Sequence, residues 1–173
     1  MRPGSFTRGI QTIGCLMLAL LALTISACGF QPRGHAVTLS AVPSPVFIAG
    51  IPDYSDLYRE LELQLHLAGV QTVPSAADSG SVLRISGIES DAQVYAFNSR
   101  NKAVEYELEE AATFSLYAAD GRELIETQRV KVLRIQYRPE VGVLGSDREG
   151  ELLRRDMRRE IADRILKRLA AQT

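Results

Sequence analysis

Val104-Glu105-Tyr106-Glu107-Leu108-Glu109-Glu110-Ala111-Ala112-Thr113-Phe114-Ser115-Leu116 is the clearest pattern in the chain. Val104, Tyr106, Leu108, Ala112, Phe114 and Leu116 share one parity, and Glu105, Glu107, Glu109, Thr113 and Ser115 share the other. Successive side chains of a strand point to opposite faces, so this period of two predicts a long strand with one buried and one wet face. Glu110 falls on the apolar parity, which marks either a bulge or a point where the strand leaves the core.

Working outward, Asp120-Gly121 is a hairpin signal. With those two residues as the loop, Glu107 opposes Arg134 and Glu110 opposes Lys131, two favourable cross-strand charge pairs. The return strand then runs from about Glu123 to Tyr137, before Pro139. Upstream, Val82, Leu83, Ile85 and Ile88 open another strand, which continues through Val94, Tyr95 and Phe97; the polar residues 98–102 form the turn that follows. Residues 46–51 are a short apolar run closed by Pro52, as in a buried strand. Between them Ser55 is a candidate N-cap, Leu57, Leu61 and Leu65 recur every four residues, and Gly69 stops the helix. The last element is a second helix. Ser146 and Glu149 fit a capping box, and Leu153, Met157, Ile161, Ile165 and Leu169 make its apolar stripe. Glu151–Arg155, Glu160–Arg164 and Asp163–Lys167 are spaced as i,i+4 pairs on its wet side. The order strand, helix, three strands, helix predicts an α/β (α+β) layer: a mixed or antiparallel sheet of about four strands with two helices packed on one face.

The N-terminus sets the compartment. Arg2 and Arg8 precede an almost wholly apolar stretch, residues 10–25, with no acidic residue before Cys28. That is the anatomy of a secretion signal rather than of a spanning helix. It ends in Ile25-Ser26-Ala27-Cys28, which resembles the lipobox of bacterial lipoproteins. Cleavage after Ala27 would leave Cys28 as a lipid-modified first residue; the other reading is an ordinary signal that leaves Cys28 a free thiol. Residues 1–27 are therefore read as signal, 28–45 as a Pro- and Gly-containing tether, and 46–173 as a single domain. Cys15 leaves with the signal, so the mature chain holds one thiol and forms no internal disulfide. Arg2 and Arg8 leave too, and the 20 basic residues become 18 against 21 acidic ones, a net charge of about −3. A nucleic-acid binder would carry a basic excess instead. Gly29 rather than Asp follows Cys28, which points to the outer membrane rather than retention at the inner one.

Catalytic constellations are missing from the sequence. His35 and His66 are the two histidines, one in the tether and one on the first helix. Neither belongs to a metal or nucleophile motif, so no cofactor is expected beyond the lipid on Cys28. Glu105, Glu107 and Glu109 could suggest a glycoside hydrolase, but alternating Glu is also what a solvated strand face looks like. Two cations, Arg100 and Lys102, sit in the turn at residues 98–102. They could meet phosphate, or simply be polar residues in a turn.

Cys28-Gly29-Phe30-Gln31-Pro32-Arg33-Gly34 resembles the mature start of the LPS-assembly lipoprotein family LptE. The order of elements agrees: an apolar strand before a leucine-rich helix, Leu83 to Ile85 opening the sheet, Glu105-Tyr106 after a polar turn, and a charged terminal helix from Arg148. The resemblance implies a non-enzymatic protein, anchored at the inner leaflet of the outer membrane, whose domain enters the lumen of the LptD β-barrel in a one-to-one complex. There it would help the barrel assemble, plug it, and assist delivery of lipopolysaccharide. It also implies lipopolysaccharide contact by Arg100 and Lys102 at the hairpin tip. A further cation is expected just before the last helix, where this chain has Ser146 and, two residues later, Arg148. Two rival readings are an auxiliary lipoprotein of a lipid-trafficking ABC system and a cell-wall hydrolase or its activator.

Overall fold

In the computed structural model, residues 39–138 and 143–172 are described; the signal, the cleavage point at Ala27 and Cys28 lie outside them. Strand β1 (Val46–Ala49) leads to helix α1 (Asp56–Leu67), then a single 3₁₀ turn (Ala76–Asp78). Strands β2 (Ser81–Phe97), β3 (Ala103–Ala118) and β4 (Glu123–Tyr137) follow, and helix α2 (Val143–Gln172) closes the chain. The sheet order is β1-β2-β3-β4, with β1 parallel to β2 and the rest antiparallel. This is the expected mixed α+β layer.

Local chemistry explains α1. The Ser55 hydroxyl accepts the Tyr58 amide at 3.2 Å, satisfying an N–H that the first turn leaves unpaired. Leu57, Leu61 and Leu65 are buried. They meet Met157, Ile161, Ala162, Ile165, Leu166 and Leu169 of α2 and Leu108, Ala112, Phe114 and Leu116 of β3 in one core. Both helices thus cover one face of the sheet. Leu39 and Val42 are also buried in that core, so packing begins inside the stretch expected to be tether.

Three sequence expectations shift. The β3–β4 loop has three residues rather than two: Ala118 N–H donates to Arg122 O at 2.8 Å and Gly121 N–H to Ala118 O at 2.9 Å. Gly121 takes φ +86°, a conformation open to glycine, and the Asp120 carboxylate accepts the Arg122 amide at 3.0 Å. Two register shifts follow near Leu116. Glu107 therefore opposes Ile135, and Glu110 opposes Val132. A slip of one residue moves a side chain to the other face: Arg134 lands on the helix side and pairs with Glu160 of α2. On the open face Glu109 instead takes Arg129 at 2.8 Å and Lys131 at 3.4 Å. Secondly, α2 starts at Val143, so Ser146 and Glu149 lie within the helix rather than capping it. A capping-box pattern does not stop helical residues upstream from joining. Thirdly, the i,i+4 pairs Glu160–Arg164 and Asp163–Lys167 form, at 2.6 and 2.7 Å, while Glu151 and Arg155 do not pair.

The Arg129 hydrogen bond, above all, holds the Glu109 carboxyl below the usual glutamate range, against desolvation, with Lys131 adding its charge. A carboxylate with a depressed folded pKa contributes stability above its unfolded pKa and loses it as pH falls through the folded one. Glu109→Gln should therefore melt below wild type at neutral pH, with the gap closing as pH falls into the acidic range below the ordinary glutamate pKa. Melting curves across that range check it; a gap independent of pH would contradict the pairing.

Candidate functional site

The 17 residues of β2 reach roughly 55 Å at about 3.3 Å each. Within the sheet, strand β1 pairs with just the first four residues of β2, Ser81 to Arg84. Beyond that point β2, β3 and β4 continue as a three-stranded arm toward the β2–β3 turn. Large apolar side chains are exposed along it, including Val94, Tyr95, Phe97, Ile135 and Tyr137.

The turn at the arm's tip is built by asparagines. Asn98 Oδ1 accepts the amides of Arg100 at 2.9 Å and Lys102 at 3.0 Å. Asn101 adopts φ +57°, a left-handed conformation that asparagine tolerates better than most residues. This fixes the backbone while the side chains of Arg100 and Lys102 stay exposed.

Arg148 belongs to the same end of the molecule. The Arg138 amide donates to Val104 O at 2.7 Å, two residues from Lys102. The Arg138 guanidinium lies 5.6 Å from the centre of the Tyr106 ring and pairs with Asp147, whose neighbour is the exposed Arg148. Gly150 lets α2 come close here: an added Cβ would fall 3.1 Å from Gln136 Oε1. The fold thus brings the three candidate cations, 48 residues apart in sequence at their widest, to one end of the sheet. Lys and Arg at such a tip suit phosphate groups, which guanidiniums can engage with two parallel hydrogen bonds.

Where the arm leaves the helices, the structure holds a cluster that pattern reading missed. Glu110 is no bulge: its pairs with Ser90 and Val132 are regular, and it points into the core with 1% of its side chain exposed. Arg154 of α2 meets its Oε1 at 2.8 Å and Arg158 its Oε2 at 3.2 Å. The Ser90 hydroxyl of β2 donates to it at 2.6 Å. Arg158 also pairs with Asp56 at 3.0 Å, at the first turn of α1. The Asp56 carboxyl is held below the usual range, chiefly by the Arg59 hydrogen bond and, against desolvation, by the charge of Arg158. Glu110 thus ties β2, β3 and α2 together at the root of the arm, and Arg158 extends the tie through Asp56 to α1. A cavity of about 380 Å³ beside it is lined by Tyr54, Asp56, Ile88, Arg158 and Ile161. The signal available in sequence was Arg154 and Arg158 at i,i+4, which share a helix face with each other. Because both guanidiniums and the Ser90 hydroxyl are spent on Glu110, this group is a structural tie rather than an acid–base pair.

Glu105 and Glu107 face away from the helices, opposite Tyr137 and Ile135. Among the described residues no group of three or more His, Cys, Asp or Glu is arranged to hold a metal ion, and no helix is long and apolar enough to cross a membrane.

Comparison with known proteins gives consistent findings. The family model described as LptE, Lipopolysaccharide-assembly, matches residues 44–169. The chain is 28% identical over 156 residues to the LPS-assembly lipoprotein LptE of Pectobacterium atrosepticum, covering 89% of this chain and 83% of that protein. It is 25% identical over 154 residues to the LPS-assembly lipoprotein LptE of Photorhabdus laumondii, with the same coverage. Among solved structures, an uncharacterized lipoprotein B from Nitrosomonas europaea superposes with a TM-score of 0.68 at 23% identity, covering 83% of this chain and 91% of that one. The rare lipoprotein B from Shewanella oneidensis does so at 0.64 and 25% identity, covering 74% and 95%.

Proposed function

The chain belongs to the LptE lipopolysaccharide-assembly family, and from that premise we propose that it is a non-enzymatic outer-membrane lipoprotein that occupies the lumen of the LptD β-barrel. In this reading Ala27 precedes the cleaved bond, Cys28 carries the lipid, and the domain faces the periplasm. A single acyl chain anchors only marginally, so stable residence takes more than one. The domain assists assembly of the barrel and passage of lipopolysaccharide to the outer leaflet. The observation that carries the proposal is the family match across residues 44–169, which spans the sheet, both helices and the arm. The fold supports it: a compact layer with a long arm whose mixed charges suit the polar interior of an outer-membrane barrel.

Lipopolysaccharide contact is assigned to Arg100, Lys102 and Arg148. Charge-assisted contacts contribute about 1.5–3 kcal/mol each, so reversing two should cost roughly a hundredfold or more in affinity. Arg100→Glu with Lys102→Glu is expected to weaken lipopolysaccharide binding by that much, with an unchanged melting temperature because both side chains are exposed. Equal binding by the variant, measured by titration against purified lipopolysaccharide, would move the contact away from the tip.

A further inference from the structure

Two shallow depressions lie side by side along the solvent face of α2. The first, about 450 Å³, is lined by Asp147, Arg148, Glu151, Leu152 and Arg155. The second, about 200 Å³, lies between the helices and includes Arg59, Glu60, Leu63, Arg155 and Arg159. Arg155 belongs to both.

The charges around them are unevenly matched. Asp56 takes Arg59 at 2.7 Å and Arg158 at 3.0 Å. Glu60 takes Arg159 at 3.6 Å, and Asp156 takes it at 3.5 Å. Asp147 is engaged by Arg138. Among the described residues Arg148 and Arg155 make no ion pair, and Glu151, which lies between them on the helix, pairs with neither. Seven residues separate the two arginines, about 10 Å along the axis at 1.5 Å per residue. Both are exposed. Leu152 and Leu63, 54% and 51% exposed, add apolar surface beside them. Two guanidiniums with open forks, spaced along an amphipathic groove, fit phosphates carried on a sugar, since the planar fork matches two phosphate oxygens.

We infer that the anion-binding surface continues from Arg148 along α2, and that Arg155 is the centre of a second subsite for a phosphorylated saccharide. The inference rests on the lipopolysaccharide reading above and adds to it a residue and a path leading away from the tip. Glu151 is the one unpaired carboxylate inside the subsite, and it sets a limit on affinity there.

The test is calorimetric titration of the purified mature lipoprotein in neutral detergent. The probe is a glucosamine disaccharide carrying a phosphate at each end, used deacylated and acylated, with the phosphate-free disaccharide as control. Arg155→Glu should weaken binding of the phosphorylated disaccharide about tenfold or more, and Glu151→Gln should tighten it; the phosphate-free sugar should bind weakly to all forms. Binding of the deacylated probe identifies the headgroup alone as sufficient; binding of the acylated probe alone, still weakened by Arg155→Glu, identifies an intact lipid as the source. Wild-type affinity in Arg155→Glu for both probes overturns the subsite, as does failure of the wild type to bind either. Loss in Arg100→Glu with Lys102→Glu but not in Arg155→Glu overturns the subsite and leaves the tip contact standing. Loss in Arg155→Glu alone supports the subsite and removes the tip.

Discussion

Replacing Arg154 and Arg158 together by methionine is expected to lower the free energy of unfolding by about 3–5 kcal/mol, the usual cost of leaving one member of a buried ion pair without its partner. Glu110 has 1% of its side chain exposed, whereas the two arginines keep 26% and 30%. The penalty is therefore asymmetric: the guanidiniums can reach water when Glu110 is removed, but the carboxylate cannot when they are. The Ser90 hydroxyl alone would remain on Glu110 Oε1, and one neutral hydrogen bond contributes only about 0.5–1.5 kcal/mol. Adding Glu110→Leu to the double variant should recover most of the loss, because apolar replacement of a whole buried ionic group is often neutral or stabilising. Urea unfolding of the three forms decides the matter. A double variant within about 1 kcal/mol of wild type would show that the tie is solvated and contributes little. The same substitutions should loosen the arm from α2, read as faster amide exchange in β2 beyond Gly87.

Gly50→Ala is expected to cost about 2–6 kcal/mol. Gly50 has φ +89°, where a side chain adds about 1–3 kcal/mol of backbone strain. A Cβ there would stand 2.0 Å from the carbonyl oxygen of Ile85, and that atom is backbone of β2, in the segment just past its pairing with β1. The strand cannot yield locally without disturbing Ile85, which is buried beneath the helices, and overpacking of this kind typically adds about 1–3 kcal/mol. Gly69→Ala is the control: φ is +81°, but nothing lies within 4 Å of the added carbon, so only the strain remains. Equal losses in the two variants, measured by denaturant unfolding, would show that the close approach to Ile85 carries no cost.

How much of this was legible in the sequence depends on the range of the interaction. The alternation around Phe114 and the leucine spacing of α1 report local geometry, and the sheet and helix they specify are present. The hairpin register needed one further fact, that Asp120-Gly121 closes a three-residue loop, and that single residue reassigned Arg134 to Glu160 and Lys131 to Glu109. Glu110 was visible as an exception to the pattern, but its meaning lay in Arg154 and Arg158, 44 and 48 positions away. At the candidate site the asparagine-framed turn was readable. That Arg148 shares an end of the fold with Arg100 and Lys102 follows only from the Arg138 contacts to Val104 and Asp147, which no spacing rule encodes.

The most direct measurement is affinity capture of the full-length lipoprotein, tagged after Thr173, from detergent-solubilised outer membranes. Co-purification of one large β-barrel protein in stoichiometric amount is the expected result, surviving salt that strips adventitious ionic contacts. Recovery of inner-membrane transporter subunits, or of the lipoprotein alone, would contradict the proposal that this domain occupies a barrel.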